Sequence, residues 1–156
     1  MDLTAFAFAL QHDDAQEPSG LFLADVVVVG ISRTGKTPLC LYLASMGLRA
    51  ANVPLVPGIA EPAELYKLDR QKIVGLILRP ERLLQLRRER LKTMGKGAPA
   101  GYASLENIVS ELEYTERIIK NLGCRRIDSS DMSAEEIAFR IHEGFPAISI
   151  LQTSKE

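Results

Sequence analysis

Apolar and polar positions repeat along this chain with two different periods. Val26 to Val29 are four consecutive β-branched residues, apolar on both faces. That is the pattern of a central strand in a parallel sheet, and a strand is predicted over 22–29. Further strands are predicted over 51–56, stopped by Pro57, over 73–78, and over 124–127 with Asp128 at the carboxyl end. The helical period appears elsewhere. Residues 37–46 read as a helix closed by Gly47, and a short helix covers 63–68. Pro80 opens a helix over 80–94, a position where its missing N–H is tolerated. The exposed side of that helix is basic: Arg79, Arg82, Arg87, Arg88, Arg90 and Lys92. In a long helix over 103–122, Leu105, Ile108, Val109, Leu112, Ile119 and Leu122 form one apolar stripe, ended by Gly123. Ser133 and Glu136 make a capping box for a last helix reaching His142. Residues 3–10, behind Asp2 as a cap, read as a short helix, with a strand as the alternative because Phe6 and Phe8 share parity.

Polar or small residues fill the gaps. Segments 11–20, 57–62 and 94–101 read as loops. Strands that alternate with helices predict an α/β fold, a mainly parallel sheet flanked by helices. One domain over 1–144 is expected, with a tail over 145–156 that has no clear assignment.

Composition narrows the function classes. The chain has 156 residues, enough to enclose a core. Its 19 basic and 20 acidic side chains give a net charge of -1. That balance points to neither a nucleic-acid nor a membrane partner. No apolar run approaches the roughly 20 residues that span a bilayer. The start lacks a basic region and turns acidic after ten residues, so no secretory leader is expected there, and a cytoplasmic protein is. Cys40 and Cys124 lie far from each other and from His12 and His142, which argues against structural zinc. Both thiols are expected to be buried and reduced.

The chemistry concentrates at Gly30-Ile31-Ser32-Arg33-Thr34-Gly35-Lys36-Thr37, which matches GxxxxGK[ST] at every fixed position. A buried-looking strand precedes it and a helical pattern follows. Phosphate oxygens need many donors, and a loop of inward N–H groups at a helix N-terminus supplies them. Gly30 and Gly35 permit close approach of the backbone. Lys36 would place an ammonium on the terminal phosphates, and Thr37 would offer its hydroxyl to Mg²⁺. The bland alternative is a glycine-rich turn with an exposed lysine. Arg33 reads equally as a phosphate contact or a surface ion pair. Asp128 is the nearest candidate for a second, acidic metal-holding element, with Asp131 close behind; a solvated turn is the competing reading. The His12-Asp13-Asp14 triplet presents an imidazole beside two carboxylates, suited to a proton acceptor or a metal, though acidic loops are common.

Taken together, the runs from Asp25 to Ala44 and from Ala51 to Pro57, with His12-Asp13-Asp14, Pro80-Glu81-Arg82-Leu83, Arg87-Arg88-Glu89-Arg90, Tyr102-Ala103-Ser104-Leu105 and Ile127-Asp128-Ser129-Ser130, resemble the pyruvate, phosphate dikinase regulatory protein family. Related regulators of phosphoenolpyruvate synthase share the plan. The resemblance covers roughly residues 5–142. It implies a bifunctional serine/threonine kinase and phosphorylase. ADP would donate a phosphoryl group to a threonine of the dikinase, and inorganic phosphate would remove it as pyrophosphate. It further implies Lys36 and the surrounding loop as the diphosphate cradle, His12, Asp13 and Asp14 as catalytic, and possible homodimers. Three departures stand out. Family members are nearly twice as long, with an additional amino-terminal domain. Ala15 replaces a usual glycine, and Gly101 replaces a usual arginine. The same activity on phosphoenolpyruvate synthase is one alternative, and these departures set another beside it, a nucleotide-binding module without catalysis.

Overall fold

A computed structural model describes residues 3–11, 18–31, 36–94 and 101–144. Four strands form one parallel sheet: β1 (Val26–Gly30), β2 (Ala50–Pro54), β3 (Ile73–Ile77) and β4 (Arg125–Asp128), in the order β2-β1-β3-β4. Val26 to Val29 are fully buried, so the β-branched run is the sheet's centre, apolar on both sides because both sides are covered. Five helices surround it: α1 (Leu3–Gln11), α2 (Lys36–Ser45), α3 (Pro80–Met94), α4 (Leu105–Leu122) and α5 (Ala134–Glu143).

Side-chain parity sorts the layers. Val26 and Val28 pack with Val74, Leu76 and Ile127 beneath α1, α2 and α5. Val27 and Val29 face the other way, with Ile73, Ile77, and Ile118, Ile119 and Leu122 of α4. The sheet grows from β1 in two directions, first to β2 through α2 and then, across β1, to β3 and β4. Right-handed crossovers running in opposite directions put their helices on opposite faces. That is why α2 and α4 lie on different sides. It also creates a topological switch point between β1 and β3, where open α/β sheets bind ligands at the carboxyl ends of their strands.

The ends of the elements follow local chemistry. Gly47 has φ 86° and donates its N–H to the Ala44 carbonyl after α2. Ser104 caps α4 by accepting from the N–H of Asn107, and Gly123 closes it at φ 65°. Ser133 accepts from the N–H of Glu136 at 3.1 Å, the N-cap half of the expected capping box, and its hydroxyl donates to the Glu136 carboxylate. Gly75 lets α4 sit against β3: a Cβ there would lie 2.6 Å from Cγ1 and Cδ1 of Ile119.

Four expectations need correction. The first strand is Val26–Gly30; residues 18–23 form a turn of 3₁₀ helix, in which Leu21 is buried. Arg87 does not belong to an exposed basic side, since only 2% of its side chain is accessible. Its Nη1 donates to Glu111 Oε2 at 2.5 Å and to the Tyr102 carbonyl at 3.0 Å, and the guanidinium stacks over the Tyr102 ring. It fastens α3 to α4. On α4 itself Leu105 and Val109 are exposed; the buried seam is Ile108, Leu112, Thr115, Ile118, Ile119 and Leu122. Cys40 is buried, but Cys124 is only half-buried. Residues 3–11 are helical, which settles the open choice there. The caps and tail expected at Asp2 and over 145–156 lie outside the described residues.

Candidate functional site

β1 delivers Gly30 and Ile31 to the carboxyl edge of the sheet, beside the switch point. Four residues later α2 begins at Lys36, so its backbone N–H groups open toward that same edge. The strand and the helix that the GxxxxGK[ST] motif requires are therefore both in place. Ser32, Arg33, Thr34 and Gly35 lie outside the described residues, as do His12, Asp13 and Asp14; Lys36 and Thr37 are described as the first residues of α2. Ile31 is buried, packed with Leu78, Leu83, Ile108 and Leu112 between the ends of α3 and α4.

Asp128 also stands at this edge. Val29 pairs with Gly75, and Ile77 pairs with Asp128, so counting along the register sets Ile31 level with Ile77 and Asp128. Two strand spacings, about 10 Å, separate Asp128 from the line of β1. Ile127 packs under α2 and α5, so alternation turns Asp128 to the α4 side, the opposite face from α2.

The segment after β4 holds Asp128 in place. Its Oδ1 accepts from the Ser130 hydroxyl at 2.5 Å and from the Ser130 N–H at 2.9 Å. The Ser130 hydroxyl in turn accepts from the N–H of Arg79 at 2.8 Å, at the start of α3. Ser129 donates both its N–H and its hydroxyl to the Ile77 carbonyl. These bonds stitch the ends of β3 and β4 together and leave Asp128 Oδ2 with no partner among the described residues. The Ser130 hydroxyl, above all, holds the Asp128 carboxyl below the usual carboxylate range, and the Arg79 and Arg126 guanidiniums add to this. Arg79 itself grips Asp131 with two parallel bonds of 2.9 and 3.0 Å, so Asp131 is a partner of Arg79 on the surface. That contact lowers the Asp131 pKa too.

Beside Asp128 a groove of about 640 Å³ runs between α4 and the ends of β3 and β4. Ile77, Leu78 and Leu112 are its apolar lining, and Arg79, Arg117 and Arg126 line it together with Glu113 and Glu116. Arg126 is paired with Glu116 at 2.7 Å. The pattern of the sequence points to neither Ser129 and Ser130 nor this groove; the one signal available is the run of two hydroxyl residues directly after an acidic strand end. Among the described residues no group of three or more His, Cys, Asp or Glu could hold a metal ion, and no helix is long and apolar enough to cross a membrane.

The sequence profile of the kinase/pyrophosphorylase family matches residues 2–142. The chain belongs to that family. A pyruvate, phosphate dikinase regulatory protein, so named provisionally, of Desulfitobacterium hafniense (strain DSM 10664 / DCB-2) is 50% identical over 139 residues, which are 89% of this chain and 51% of the relative. A relative of the same provisional name in Carboxydothermus hydrogenoformans is 51% identical over 139 residues, 89% of this chain and 50% of its own. In Clostridioides difficile (strain 630) the figures are 48% over 134 residues, 86% and 48%. The chain thus spans about half the length of the curated relatives it matches. In this member of the kinase/pyrophosphorylase family the GxxxxGK[ST] motif stands beside the switch point of the sheet.

Proposed function

We propose that this chain carries the phosphoryl-transfer site of a bifunctional serine/threonine kinase and phosphorylase that regulates pyruvate, phosphate dikinase. The observation that carries the reading is the placement of GxxxxGK[ST], from the end of β1 to the start of α2, in a chain of the kinase/pyrophosphorylase family. The dikinase as target rests on the names of the relatives.

In this reading ADP lies with its diphosphate over the motif. The N–H groups of 31–36 and the positive end of α2 bind the phosphate oxygens, and Lys36 neutralises the transferring group. Thr37 and Asp128 are the residues that would hold Mg²⁺, which would supply charge neutralisation to the diphosphate. Asp128 suits this because its carboxyl stays ionised and offers a free oxygen. In the forward direction the threonine oxygen forms a bond to the β-phosphorus, and the bond from that phosphorus to the bridging oxygen breaks. AMP departs with the electron pair, and the hydroxyl proton passes to His12, Asp13 or Asp14. In reverse an oxygen of inorganic phosphate attacks the phosphothreonine phosphorus. Pyrophosphate leaves, and the proton returns to the threonine oxygen. Both directions are dominated by positioning and charge, so one cradle serves both.

The test is transfer of label from ADP carrying β-³²P to the dikinase. Labelled threonine with the wild-type chain, lost in Lys36→Ala by at least a hundredfold in both directions, is the expected result. Binding of ADP with no transfer to any protein would reduce the chain to a nucleotide-binding module.

A further inference from the structure

Phosphoryl transfer between two substrates needs a second site next to the first. In-line displacement sets the entering and leaving oxygens on opposite sides of the phosphorus. The fold has two sides at the right place. The motif feeds α2 on one face of the sheet, while the groove below α4 opens on the other and ends at Asp128.

We propose that this groove receives the segment of the target protein that carries the phosphorylated hydroxyl residue; the inference rests on the kinase and phosphorylase reading above. Three features select such an occupant. The lining by Ile77, Leu78 and Leu112 is apolar, and Val109, 37% exposed on α4, extends it outward. That suits the side chains of a peptide better than a second nucleotide phosphate. The lining also sets Arg79, Arg117 and Arg126 among Glu113, Glu116 and Asp128, so a phosphoryl group must draw arginines from exposed pairs or use the one outside them. A phosphorylated hydroxyl gains close to two negative charges. Arg79 and Arg126 make only exposed ion pairs, which contribute little and exchange readily. Arg117 is exposed and makes no ion pair among the described residues. Finally, the groove lies at the same edge of the sheet as the candidate phosphate site, because Asp128 in its lining stands level with Ile31 in the register of the sheet.

Exposed apolar side chains on α4 fit the same picture. Leu105 and Val109 carry the helical stripe past the edge of the sheet. At 1.5 Å per residue α4 is about 27 Å long, against about 13 Å for the four residues of β4. Its first turns reach beyond the strand, where Ile108 and Leu112 pack on Ile31, Leu78 and Leu83 and Val109 borders the groove.

Arg117→Glu and Val109→Asp test the proposal without touching the motif. Both positions are exposed, and circular dichroism confirms that each variant folds. Affinity for phosphorylated dikinase is measured by biolayer interferometry, and affinity for ADP by calorimetry. Each variant is expected to bind the dikinase at least tenfold more weakly, while ADP affinity stays within twofold of wild type. Glu135→Lys on α5, on the far face, is expected to change neither. If wild type binds the dikinase and both variants bind it equally well, the groove assignment is overturned and the kinase reading survives. If wild type does not bind the dikinase at all, both fall. If size-exclusion chromatography shows a dimer that Val109→Asp splits, the groove belongs to a second copy of the chain, and the proposal is overturned.

Discussion

Removing the carboxylate that faces Arg87 should weaken the whole α3–α4 side of the molecule. Arg87 is 2% exposed and Glu111 28%, with 2.5 Å between Nη1 and Oε2. With charge centres about 4 Å apart and an effective dielectric near 20, their attraction is about 4 kcal/mol. Glu111→Ala removes it and leaves a guanidinium out of water. Breaking a fully buried pair costs about 3–5 kcal/mol. Here Glu111 is partly solvated, and Arg87 keeps the Tyr102 carbonyl and ring, so a loss of about 2–3 kcal/mol is expected. For a chain of this size that lowers Tm by roughly 5–10 °C. Differential scanning calorimetry reads the shift directly. Arg87→Met combined with Glu111→Leu should lose less than the sum of the two single changes, because no orphaned charge remains. A fall below 2 °C for Glu111→Ala, or strict additivity in the double variant, would refute the claim that this pair is an internal fastening.

Gly75→Ala should destabilise by about 1–3 kcal/mol through overpacking against Ile119, seen as a lower urea midpoint, with Ile119→Ala restoring part of the loss. Ser130→Ala should raise the Asp128 pKa toward its ordinary value, measured by carboxyl-carbon NMR titration. Because the native pKa lies below the unfolded one, the associated stabilisation is complete above the unfolded value and disappears as pH falls through the native value. The stability gap between wild type and Ser130→Ala should therefore be present at neutral pH and narrow in acid.

What the sequence revealed depended on how local the cause was. The central strand was legible because Val26 to Val29 need apolar cover on both faces, a demand written into four adjacent residues. Gly47, Gly123 and Ser133 marked helix ends because caps act over three or four positions. The GxxxxGK[ST] motif was visible for a similar reason: phosphate binding fixes its spacing within eight residues. Arg87 was misread because its partners lie 15 and 24 residues away. A pattern of polar and apolar letters places any arginine on the outside. Leu105 and Val109 were misread because Ile108 and Leu112, in the same turns, take the buried positions against Ile31, Leu78 and Leu83. Ser129 and Ser130 were seen only as part of a family-like run, and their role was not legible because they bond to Ile77 and Arg79, about 50 positions earlier.

The anchoring of Ile31 has a mechanical corollary. The first side chain after β1 is gripped by Leu83, Ile108 and Leu112 and thereby belongs to the layer opposite α2. The backbone entering the motif is thus clamped from one side of the sheet, while the helix leaving it rests on the other. Ile31 ties the residue that enters the motif to α3 and α4, while α2 keeps its own packing on the other face.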